Sequence, residues 1–165
     1  MAVRPVLRLP DRILKVKALE MGEDLDEVLM DDLIETMRAS PACVGLAAPQ
    51  IGVSKRAIVV DVSEHPKTTV THGLIALFDP VLVEVEGRER GREGCMSVPD
   101  LTANVIRARR VSVAGIGVDG SEVVLETEGF EARAFQHEID HLDGALILDR
   151  VASLTDDVFR RRVYR

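Results

Sequence analysis

The stretch FQHEIDHLDG, residues 135 to 144, holds the densest chemistry in the chain. Wound as a helix, it carries His137 and His141 four residues apart on one face, with Glu138 about a quarter of the circumference away. Two neutral imidazoles so placed can ligate one divalent cation, and the neighbouring carboxylate can manage the proton of a coordinated water. A surface helix can also carry two histidines by chance, so the motif alone leaves both readings open. A catalytic metal needs a third protein ligand and one free position. The metzincin completion puts a third His six residues after the second, but that position is Ile147, although Gly144 suits the pattern. No Glu follows Glu138, which removes completions that use a downstream Glu. Upstream, GREGCMSVPD offers Cys95, whose thiolate would suit zinc or iron(II); a lone Cys is also commonly a small buried hydrophobe.

A third unusual stretch is SPACVGLAAPQIG, residues 40 to 52, small and apolar with two prolines and two glycines. Small side chains allow a backbone to approach something closely. Its polar exception is Gln50, whose amide brings two donors and an acceptor. A loop packed beneath the domain, with Gln50 satisfied by backbone, explains the same residues.

The elements that must position these groups follow from periodicity. Asp24 to Arg38 reads as an amphipathic helix with Leu25, Val28, Leu29, Leu33 and Met37 on one face, acids towards water, and Asp24 with Glu27 as capping pair. Ala57 to Val62 is a short buried strand, followed by a polar loop in which His65 and His72 read as exposed. Leu74 to Val85 reads as two strand pieces broken at Pro80, because proline cannot donate to a ladder. Val105 to Val118 and Glu122 to Thr127 flank Asp119-Gly120, a hairpin turn signal. A last long helix begins near Phe130. These patterns predict an α+β fold: mixed or antiparallel sheet segments packed around a C-terminal metal-binding helix, with an amphipathic helix near the N-terminus.

The chain of 165 residues, 46% hydrophobic and 30% charged, suits one soluble domain spanning 1–165. A net charge of -7 argues against a general nucleic-acid binder, leaving no specific DNA partner. The basic end FRRRVYR, with Arg160, Arg161, Arg162 and Arg165, is either a solvated tail or a nucleic-acid or ribosome contact. No apolar run approaches a membrane span, and the N-terminus lacks the long apolar core of a signal peptide, so the expected compartment is the cytoplasm. With two cysteines, Cys43 and Cys95, in unlike contexts, no disulfide framework is expected.

Taken together, GLAAPQIG at 45 to 52, EGCMS at 93 to 97 and QHEIDHLDG at 136 to 144 resemble, in order and spacing, the three signature motifs of the peptide deformylase family. The resemblance covers most of the chain. It implies a metal-dependent hydrolase that removes the formyl group from the N-terminal formylmethionine of nascent polypeptides and releases formate. By matching positions, it implies Cys95, His137 and His141 as ligands of one divalent ion, iron(II) by family, with zinc, nickel or cobalt suited to the same donors. It implies Glu138 as general base and acid, and Gln50 with the backbone N–H of Met96 as donors to the developing oxyanion. Gly45 and Leu46, if extended, would pair with the peptide backbone as an added strand. Phe130 and Ala134 would wall a methionine pocket, with the Arg133 head in solvent over a packed stem.

Two positions depart from the family pattern. Cys43 stands where the first motif often has Gly, and Thr102 where many members carry an Arg thought to meet the substrate backbone; Met96 in place of Leu leaves its backbone donor intact. Those departures motivate a rival reading, a weak or non-catalytic relative that binds peptide or ribosome. A metalloprotease rests on H-E-x-x-H alone.

Overall fold

The computed structural model describes residues 2–161. Among these residues the chain forms helices α1 (Glu27–Arg38), α2 (Gly129–Leu142) and α3 (Ile147–Arg150) and eight strands. The strands are β1 (Gly45–Ala47), β2 (Ala57–Val60), β3 (Ile75–Glu86), β4 (Glu89–Cys95), β5 (Val98–Arg107), β6 (Arg110–Ile116), β7 (Glu122–Glu128) and β8 (Val158–Arg160). One sheet runs β1-β2-β3-β6-β7 and the other β4-β5-β8, with antiparallel pairing throughout. This is the α+β architecture read from the sequence.

Helix α2 is what the two sheets share. Ala132, Phe135, Ile139 and Leu142 recur at helical spacing and are buried with Ile58, Val60, Leu77 and Val113 of the five-stranded sheet. Arg133, His137 and Asp140 lie on another side of the helix and bond to Glu93, Val105 and Arg107 of the three-stranded sheet. The helix therefore cannot slide against one sheet without breaking contacts to the other. Its C-terminal carbonyls are also taken: the Leu142 carbonyl accepts from the Ala18 N–H at 2.8 Å and from Arg56 Nη1 at 2.9 Å. Gly144 then turns the chain away in the left-handed region, at φ 74°.

Several local readings change. Helix α1 starts at Glu27 and its cap is Asp26, which accepts from the Leu29 N–H at 3.0 Å, so Asp24 and Glu27 do not form the expected pair. Val28 is 60% exposed, whereas Asp32, expected in water, is buried where it accepts from the Ala2 N–H and Arg4 Nε. An acid on the inner side of an amphipathic helix is tolerable only with such donors. Strand β3 is continuous through Pro80 because a bulge between Phe78 and Val81, with Asp79 at φ 47°, removes the proline from the ladder. Asp79 is fixed there by the Met21 and Gly22 N–H groups.

The expected single strand Val105 to Val118 is two, ending at Arg107 and resuming at Arg110. Gln136 makes the break possible by bonding both the N–H and the carbonyl of Ala108, each at 2.9 Å. The Asp119-Gly120 turn forms as read, with the Gly117 N–H donating to the Ser121 carbonyl. Among the described residues no helix is long and apolar enough to cross a membrane, and Cys43 and Cys95 are both free thiols.

Gly144→Ala tests how tightly the end of α2 is held. A Cβ there would stand 2.7 Å from the Lys15 carbonyl carbon and oxygen, on a backbone with positive φ. We expect a loss of about 2–3 kcal/mol in urea unfolding.

Candidate active site

Strand β4 delivers Cys95 at its last position, where the ladder to β5 slips between Gly94 and Cys95. That slip is a bulge at a strand end, a common means of re-aiming a side chain. Here it accompanies a thiol directed at α2: Cys95 Sγ lies 3.3 Å from His141 Nε2. The rings of His137 and His141 meet edge-on with centroids 5.0 Å apart. One ligand atom from each of Cys95, His137 and His141 falls within 4.8 Å of the others. Tetrahedral bonds of ~2.0–2.3 Å place ligand atoms roughly 3.5 Å apart, so this donor set fits a single small divalent ion. One further buried atom points the same way, since Glu138 Oε2 has no hydrogen-bond partner among the described residues.

The support around His137 was not read from the sequence. Its Nδ1 donates to Glu93 Oε1 at 2.8 Å, which leaves Nε2 free for a ligand role and fixes the ring. The buried Glu93 carboxylate also accepts from Arg107 Nε and Nη2, both at 2.9 Å, and from Arg133 Nη1 at 2.7 Å. Arg107 continues to Asp140, and Arg150 Nη2 binds the same carboxylate at 2.7 Å. A usable signal existed. Glu93 and Cys95 are two apart on a strand, and side chains two apart share a face.

Arg133 is the clearest correction. Its head, expected in solvent, is buried and donates to Glu93, to the Val105 carbonyl at 2.8 Å and to the Glu89 carbonyl at 2.7 Å. Gly91, again two residues back along β4, makes the space: a Cβ there would lie 2.9 Å from Arg133 Cζ.

The charges follow from these neighbours. Burial alone would raise the Glu93 pKa, but the bonds from His137 and Arg107 outweigh it and hold the carboxyl well below its usual range. Burial would likewise lower His137, yet the Cys95 and Glu93 contacts raise it. His141 is pushed down by burial, with His137 and Arg107 adding to the effect. Burial pushes Glu138 up to about 7, within the range where a carboxyl can both take and give a proton near neutrality.

The segment 45–52 closes the other side. Gln50, in the short turn after β1, accepts from the Ala47 N–H through Oε1 at 3.0 Å, which fixes which way the amide points. Its Nε2 then donates to Ser97 Oγ at 3.1 Å and lies 3.8 Å from Cys95 Sγ. Gly45 lies against Glu138, and a Cβ on it would come within 2.9 Å of Glu138 Cγ. Strand β1 is an edge strand, so its outer backbone groups can pair with an extended peptide. Leu46 differs from expectation in one respect: its side chain is fully buried in the core among Leu33, Ala57 and Phe78, so only its backbone is available.

A cavity of about 310 Å³ opens over these groups, walled by Gly45, Cys95, Phe130, Ala134, His137 and Glu138. Met96 also lines it, in the turn that joins β4 to β5. His65, expected to be exposed, stacks on Phe130 with centroids 4.1 Å apart and forms part of the wall. His72 is exposed as expected, though its ring binds the buried Glu131.

The sequence model of the polypeptide deformylase family matches residues 3–157. The chain belongs to the peptide deformylase family. It is 45% identical over 160 residues to the peptide deformylase of Halothermothrix orenii, an alignment covering 96% of this chain and 99% of that one. It is 47% identical over 156 residues to that of Carboxydothermus hydrogenoformans, covering 93% and 97%. The crystal structure of peptide deformylase from Thermotoga maritima superposes with a TM-score of 0.82 at 35% identity, covering 93% of this chain and 100% of that one. A Met-ala-ser bound class I type b peptide deformylase from Acinetobacter baumannii gives 0.84 at 34% identity, with 91% and 99% covered. Family membership makes this an enzyme, a metal-dependent amide hydrolase, and disfavours both the metalloprotease and the non-catalytic reading.

Glu93→Gln removes the charge that orients His137 and balances Arg107 and Arg133. Metal affinity, measured by chelator competition, should fall ~10–100-fold; unchanged affinity would show that His137 is positioned by the helix alone.

Proposed function

We propose that Cys95, His137 and His141 hold one divalent metal ion and that Glu138, Gln50 and the Met96 N–H carry out deformylation beside it. The reaction is hydrolysis of the N-terminal formyl amide of nascent polypeptides, releasing formate and a free N-terminus. A divalent ion on this donor set would polarise the formyl carbonyl and bring the pKa of a water down to ~7. The observation that carries the reading is convergence: a thiol and two imidazoles meet beside a buried carboxylate whose Oε2 has no partner among the described residues.

Each side chain then has one task. Glu138 takes a proton from the attacking water and gives it to the leaving amine, which must be protonated before the C–N bond breaks. Gln50 Nε2, aimed by the Ala47 N–H, donates to the oxygen on which charge develops. The Met96 N–H, immediately after the Cys95 ligand, is the second donor. The formylmethionine side chain enters the wall of Phe130 and Ala134, and the peptide backbone pairs with the free edge at Gly45 and Leu46. A relative with Met-ala-ser bound supports peptide occupancy of this cleft.

Iron(II) is the proposed ion, with zinc, nickel and cobalt suited to the same donors. Residues 1–165 act as one catalytic domain in the cytoplasm, and the basic C-terminal tail touches the ribosome; within that tail Arg162 and Arg165 lie outside the described residues.

Purified without oxygen, the protein should release formate from a formyl-Met tripeptide. Glu138→Ala should retain its metal, read by elemental analysis, and lose roughly 10²–10⁴ in kcat; robust turnover by that variant would refute the proton-carrier role. Gln50→Ala should lower kcat ~10²–10³ with KM little altered.

A further inference from the structure

The chain as a whole carries a net charge of -7, yet the outer rim of the catalytic cavity is positive. Lys67, Arg92 and Arg161 all line it, and among the described residues none of the three forms an ion pair. The carboxylates in the cavity wall do not neutralise them. Glu93 is consumed by Arg107, Arg133 and His137, and Glu138 lies against Gly45 and His137.

Two of these cations are held in place. Strand β8 pairs with β5, setting Thr102 opposite Phe159, and the Arg161 N–H continues the contact by donating to the Asp100 carbonyl at 2.9 Å. The Arg161 guanidinium then lies on Gly94, in space that a Cβ at that position would fill, and donates to the Cys95 carbonyl at 3.4 Å. Arg92 stacks on Phe159 with Cζ 3.7 Å from the ring centroid and donates to Asn104 Oδ1 at 3.0 Å and Thr102 Oγ1 at 3.4 Å. A guanidinium carries five N–H donors, so each arginine retains donors for another acceptor. Arg161 touches the backbone of the Cys95 ligand itself. It therefore stands within the reach of the first residues after the formylated one, since an extended peptide advances ~3.3 Å per residue.

We propose that Arg161 and Arg92, with Lys67 on the same rim, are specificity determinants that favour peptides bearing an acidic side chain in the two residues after formylmethionine. This rests on the deformylase reading above. Partly buried cationic clefts concentrate anionic ligands and repel cationic ones, and the effect weakens with salt.

The test compares formyl-Met-Ala-Glu amide with formyl-Met-Ala-Lys amide, and formyl-Met-Glu-Ala amide with formyl-Met-Lys-Ala amide. C-terminal amides separate a side-chain carboxylate from a free chain end. Formate release should favour the Glu peptide of at least one pair by roughly 10-fold in kcat/KM, chiefly through KM, at low salt. The preference should shrink towards unity at ~0.5 M salt. Arg161→Ala should lower the Glu/Lys ratio ~3–5-fold and Arg161→Lys should restore most of it, whereas a purely structural role would depress both peptides equally. Equal turnover of the Glu and Lys peptides in both pairs by the unmodified enzyme overturns this inference and leaves the deformylase reading standing. No formate from any peptide overturns both.

Discussion

The Glu93 carboxylate is the constraint on which the rest of the site depends. It is buried and faces two guanidinium groups and one imidazole drawn from two elements: Arg107 on β5, Arg133 and His137 on α2. Taking so many charges out of water is expensive, and such a cluster is tolerable only when each ion finds its counterpart. The result is less a source of stability than of register. Arg107 grips Glu93 and Asp140 together and Glu93 also holds Arg133, so the strands and the helix are keyed at two points along α2, Arg133 and Asp140, that bracket His137. Cys95 lies two residues along the same strand from Glu93, and its distance from the two histidines is fixed by that key.

The close approach of backbone to side chain is the second device. Gly45 leaves room for Glu138, Gly91 for Arg133 and Gly94 for Arg161. Each glycine lies on a strand and faces an ionisable side chain from elsewhere in the chain. Strands weakened by glycine are the cost of placing charged heads against backbone, where carbonyls can accept from them. Arg133 uses this fully, with two main-chain carbonyls among its acceptors.

What was legible in the sequence was legible because chemistry demands identity. A metal needs ligands such as His and a proton carrier needs a carboxyl, so His137, His141 and Glu138 could be named from H-E-x-x-H, whereas Cys95 and Gln50, each open to a buried structural reading by itself, took their roles from the resemblance to the family motifs. Their convergence is what the structure adds. Features set by tertiary partners were not legible: Asp32 reads as a surface acid until the N-terminal segment supplies Arg4, and Arg133 reads as solvated until Gly91 and Glu93 face it. Pro80 marks an irregularity correctly, but periodicity cannot tell a strand end from a bulge that lets the strand continue. The Glu93 network was missed for a different reason, since β4 was not read as a strand and its two-residue alternation went unused.

The two departures from the family pattern are local and accommodated. Cys43 is not in the left-handed region; the positive φ of 57° falls one residue earlier, on Ala42. The side chain that replaces glycine is put to use, its Sγ donating to the Gly45 carbonyl at 3.1 Å. Burial pushes the thiol up to about 12, so it remains a donor at neutral pH. Thr102 removes a charge at its own position, but β8 brings Phe159 opposite it, which orients Arg92, and leads directly to Arg161. The positive rim is thus assembled from Arg92 of β4, Arg161 just beyond β8 and Lys67 of the loop after β2, around a neutral residue of β5. A substitution that looked like decay of a binding site is accompanied, in this chain, by cations from the neighbouring segments.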